Sequence, residues 1–90
     1  MKTYFIGYDL KNPGQNYTDL IEAIKKLGPY WHCLDSTWLI KSNSTAVEIR
    51  DYLINHIDKN DKILVAQISG DGAWKGFDSE SSEWLKNNWN

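Results

Sequence analysis

Asp9 closes an otherwise apolar run, "YFIGYD", and a carboxylate fixed at a strand end can hold a divalent cation. Three more acids, Asp35, Asp58 and Asp61, fall in polar connecting stretches, where Asp is ordinary turn chemistry. Mg²⁺ needs only one or two protein carboxylates and completes its shell with water or phosphate. Asp9 and Asp35 are therefore the candidate metal ligands, and Asp9 is the candidate catalytic residue. "PYWHCLDSTW" sets His32 beside Cys33, the only cysteine. Adjacent residues of a strand point to opposite faces, which argues against a zinc pair or a Cys–His nucleophile and makes Cys33 a small buried apolar residue. "GDGAWKG" lacks the Gly-Lys-Ser/Thr ending of a phosphate loop and reads as a hinge. Arg50 reads as a surface ion-pair partner, and His56 as a surface residue near a helix C-terminus.

Five Trp and five Tyr in 90 residues suggest a second chemistry, because aromatic faces stack on nucleobases as readily as they fill cores. Tyr8 and Trp38 are the stacking candidates. Asn12, Gly14 and Asn16 of "KNPGQN", just before a helix, are candidates for receiving phosphate. Ten basic residues against 12 acidic give a net charge of −2, and the lysines are scattered apart from Lys25-Lys26, so a long duplex is a poor partner. A single cysteine, no N-terminal signal and no apolar run near about 18 residues predict a reduced, cytoplasmic protein without a membrane partner.

The elements that position these residues follow from period. "MKTYFIGYDL" alternates as a strand with bulky groups on both faces. Asn16 can cap a helix striped by Leu20, Ile21, Ile24 and Leu27 and closed by Gly28-Pro29. Residues 30–41 read as a hairpin turning at Asp35-Ser36, with Leu34 opposite Thr37 and Trp31 opposite Ile40; the alternative is one bent strand with a bulge. Thr45 and Glu48 have capping-box spacing ahead of a helix lined by Ala46, Ile49, Leu53 and Ile57. "KILVAQIS" is a last strand, apolar on both faces, and residues 70–90 form an extension with a short strand at 73–77 and a helix from Asp78 or Ser79.

The order strand, helix, strand, strand, helix, strand is that of the α+β ferredoxin-like βαββαβ fold, an antiparallel sheet with two helices on one face. Residues 1–90 are one such domain with a C-terminal extension. Because its strands are apolar on both sides, the other face is expected to pack on a second copy as a homodimer. The topology brings Asp9, Asp35, Asp58 and Asp61 to one end of the sheet.

"YFIGYDL" ending in Asp9, the helix closing on Gly28, "DSTWLI" and "NDKILV" resemble the CRISPR-associated protein 2 superfamily. "YWHCLDSTW" and "SEWLKNN" resemble, more closely, the SinR-like bacterial proteins placed beside it. The resemblance implies a dimer with facing sheets and Asp9 of each chain near the two-fold axis, where some relatives bind a divalent metal and cut RNA or DNA and others act as scaffolds. Relatives carry basic segments after the strand-end Asp, whereas this chain reads "LKNPGQNY". Three functions follow as expectations: a Mg²⁺-dependent endonuclease or endoribonuclease centred on Asp9, a non-catalytic binder of nucleotides or short nucleic acid, and a structural or regulatory dimer with a protein partner.

Overall fold

β1 (Lys2–Asp9) sends Tyr4, Ile6 and Tyr8 to one face of the sheet and Thr3, Phe5 and Gly7 to the other. The structure, a computed structural model, describes residues 1–11 and 17–89. After β1 come α1 (Thr18–Lys25), β2 (Tyr30–Leu34), β3 (Thr37–Ser42), α2 (Ala46–Leu53) with a 3₁₀ turn at Ile54–His56, β4 (Lys62–Gln67) and α3 (Ser79–Asn88). The four strands lie in the order β2-β3-β1-β4 with every neighbouring pair antiparallel. Among the described residues no helix is long and apolar enough to cross a membrane.

The first face carries the main core. Tyr4, Ile6, Trp38 and Ile40 meet Leu20, Ala23 and Ile24 of α1 and Ile49 and Leu53 of α2. Each large apolar side chain buried there is worth roughly 1.5–3 kcal/mol relative to exposure. α2 starts at the capping box foreseen from spacing: Glu48 N–H donates to Thr45 Oγ1 at 3.1 Å, and Thr45 N–H donates to Glu48 Oε1 at 2.8 Å. α1 begins at Thr18 after Tyr17, and its expected cap, Asn16, lies outside the described residues. Between α1 and β2 the chain runs hard against β3: Gly28, at φ +155°, leaves a Cβ only 2.2 Å from the Lys41 carbonyl oxygen.

The hairpin turns at Asp35-Ser36 as read, with Leu34 paired to Thr37, but its register is not the regular one. Trp31 pairs with Leu39 rather than Ile40, so His32 and Cys33 together oppose Trp38 in a bulge. That extra residue decides which face Trp31 occupies. Opposite Ile40 it would join the helices; opposite Leu39 it lies on the second face.

The second face is closed over part of its area by the chain itself rather than left whole for another copy. Trp31, Leu39 and Leu85 form a second core there, with Phe5, Ile68, Trp74, Phe77, Trp84 and Trp89 against them. Asp78 caps α3 through the Ser81 amide at 2.8 Å, and Trp31 Nε1–H donates to the Ser81 carbonyl at 3.2 Å. The far end is tied down by Thr3, whose hydroxyl donates to the Asn88 carbonyl and accepts from Lys41 Nζ at 2.9 Å. Residues 73–77 form no strand; Trp74 and Phe77 instead pack, half-buried, onto the second face of the sheet. Cys33 is exposed, not buried: on edge strand β2, beside the bulge, its Sγ lies 3.1 Å from Ser81 Oγ.

Candidate functional site

Asp9 ends β1 in register with Lys62 of β4, and its side chain is open to solvent. Lys11 Nζ lies 2.8 Å from its carboxylate. The hydrogen bond and charge of Lys11, with help from Lys62, hold the Asp9 carboxyl below its ordinary value of 3.8. The Lys11 main chain binds a second acid: its N–H donates to Asp61 Oδ1 at 2.8 Å, which also accepts from Tyr17 Oη at 3.0 Å. Asp58 N–H donates to Asp61 Oδ2 at 2.8 Å. Desolvation pushes the Asp61 carboxyl up, but these hydrogen bonds outweigh it and the net displacement is downward. Lys11 therefore joins Asp9 to Asp61, and the Asp61 turn to the end of β1.

Asp35 sits in the exposed hairpin turn at the same end of the sheet, where the neighbouring Ser36 carbonyl accepts from Tyr8 N–H at 3.2 Å. Asp9 is thus engaged by an ammonium, and no group of three or more His, Cys, Asp or Glu among the described residues is arranged to hold a metal ion. Within its own chain the Asp9 carboxylate faces Lys11 and, farther off, Lys62.

The aromatic candidates have other partners. Trp38 is 1% exposed, and its indole N–H donates to Tyr8 Oη at 3.0 Å. His32 lies parallel to the Trp38 ring with centroids 3.7 Å apart. Its Nδ1–H donates to the Thr37 carbonyl at 3.0 Å. Trp38 thus lies within the core, while Tyr8 is half-buried at its edge and lines a shallow pocket with Asp9 and Lys62. Asn12, Gly14 and Asn16 lie outside the described residues. Arg50 pairs with Asp51 at 2.9 Å, and His56 packs edge-on to Tyr52, both at the surface as read.

Two surfaces on the second face carry potential that residue-type reasoning missed. Leu34, Thr37, Gly7 and Leu64 lie in one cross-strand row over all four strands, and the two leucines at its ends are 48% and 59% exposed. Beside the row, a groove of about 310 Å³ opens between the sheet and residues 73–77, lined by Phe5, Trp31, Leu34, Leu39, Trp74 and Phe77 among others. The signal for the groove was the tryptophan excess, which marked aromatic surface without locating it. No protein-family model matches the chain, and no solved structure matches it significantly.

Proposed function

We propose that this chain is the protomer of a ferredoxin-like homodimer of the CRISPR-associated protein 2 kind, SinR-like in sequence, acting as a non-catalytic binder of nucleotides or short nucleic acid. The observation that carries the binding role is the aromatic groove of the second face, and the one that carries the dimer is the row Leu34–Thr37–Gly7–Leu64. At a strand spacing of about 4.8 Å it extends for about 14 Å, with an exposed leucine at each end and the Phe5 ring lying over Gly7. A two-fold axis across such a row would pack the exposed Leu64 of one copy against the row of the other. Asp9 and Lys62, two register steps away, supply opposite charges that also exchange under a two-fold. The strand order β2-β3-β1-β4, with both core helices against one face, supports the ferredoxin-like assignment.

Light scattering tests the dimer. Wild type is expected at twice the 10.4 kDa chain mass at micromolar concentration, and Leu64→Lys at the single mass with an unchanged far-ultraviolet circular dichroism spectrum. A wild-type monomer overturns the dimer.

The nuclease reading has one observation in its favour, the nearness of Asp9 to that row, which would bring it close to the partner's Asp9. It requires Mg²⁺-dependent cleavage of RNA or DNA that disappears in Asp9→Ala while the dimer persists. Cleavage surviving that change removes the reading.

A further inference from the structure

The groove of the second face is a poor piece of core and a good piece of binding site. Protein interiors leave few voids larger than a water molecule, yet about 310 Å³ stands open here against a rigid sheet, within the size range of small-ligand pockets. Its walls are almost wholly apolar and rich in rings: Trp31 meets Phe77 edge-on at 4.9 Å, and Trp74 meets Trp89 at 5.8 Å. The exceptions are Thr37 and Lys75, and no carboxylate lines it. Lys75 is exposed and has no hydrogen-bond or ion-pair partner among the described residues. An apolar aromatic slot with one unpaired cation calls for a flat ring system carrying a negative group, since each part of such a ligand meets its complement and no buried charge is left over.

We propose that the groove lined by Phe5, Trp31, Trp74, Phe77 and Trp89 binds a planar aromatic anion no larger than a nucleoside monophosphate, with Lys75 meeting the anionic group. The site rests on and deepens the proposed binding role; Leu34 and Thr37 belong both to the groove and to the dimer row, but every lining residue comes from one chain, so the groove forms without the partner.

Titration with 2-naphthoate and with adenosine 5′-monophosphate, read by tryptophan fluorescence, tests it, and the two probes separate an aromatic carboxylate from a nucleotide as the source of the anion. Saturable binding of either supports the site; binding of neither overturns it. Trp74→Ala is expected to weaken binding about tenfold or more, the scale of one lost ring stack. Lys75→Gln, which changes an exposed side chain and keeps the fold, is expected to weaken it about twofold to fivefold, the scale of one exposed charge pair. Equal affinity for uncharged 2-naphthol, or no effect of Lys75→Gln, overturns the anion preference. Leu64→Lys does not line the groove and should leave binding intact even as a monomer; binding lost with the dimer overturns a single-chain site. A wild-type monomer that binds would sink the dimer and keep the groove.

Discussion

Lys11 is the residue through which the acidic end of the sheet becomes intelligible. Its ammonium neutralises Asp9 while its amide serves Asp61, so two carboxylates that resemble metal ligands in sequence are in part structural acceptors. Both carboxyls lie below the ordinary 3.8 in the folded chain, so their stabilisation is fully present above that pH and is lost as pH falls through the lower folded values. Thermal unfolding followed from pH 6 to pH 2.5 should therefore show wild type losing stability in acid more steeply than Asp61→Asn, and parallel profiles would contradict the network. That Asp9 ends a strand was legible from "YFIGYD", because alternation stops there. Its pairing was not, since it depends on where the chain turns after Leu10. Trp38 shows the converse: an aromatic offered as a stacking face is committed to Tyr8 and His32, and only burial could reveal it. Gly28 carries a sharper expectation. A Cβ there meets main chain rather than a movable side chain, so Gly28→Ala should cost more than about 1 kcal/mol in a denaturant midpoint measurement.

At the level of elements, caps and turns were readable because each depends on a few neighbouring side chains. The Thr45–Glu48 box, the Asp78 cap and the Asp35-Ser36 turn all stand where local chemistry puts them. Thr45→Ala should lower stability by about 1 kcal/mol, measured by chemical denaturation. The bulge was not readable, because it is fixed by what β2 must face rather than by its own residues. Regular pairing would have turned Trp31 toward the helices, where Trp38 already fills the space. The extra residue turns it toward α3, where its ring is buried and its N–H satisfied. Deleting Cys33 should accordingly be tolerated nearly as well as Cys33→Ala, since with the bulge gone His32 alone faces Trp38 and Trp31 still stands opposite Leu39 on the second face. A deletion variant that melts far below Cys33→Ala would mean that the extra residue does more than set the face of Trp31. Trp31→Ala should itself cost about 3–5 kcal/mol.

Over the whole molecule, the two-faced strands correctly announced that the sheet needs cover on both sides, but not who supplies it. A helix as polar as "SESSEWLKNN" offers little amphipathic signal, and its few apolar residues matter because Trp84, Leu85 and Trp89 all reach one small patch. Removing residues 79–90 should red-shift tryptophan emission and lower the melting temperature, because Phe5, Trp31 and Leu39 lose their cover. An unchanged spectrum would mean that the segment is ornamental. The same patch joins the fifth residue to the eighty-fifth, which bears on synthesis as much as on stability. Chains emerge at roughly 5–20 residues per second, so the second face stays bare until α3 and Trp89 have followed the strands. Until then the chain carries an aromatic sheet face without its cover.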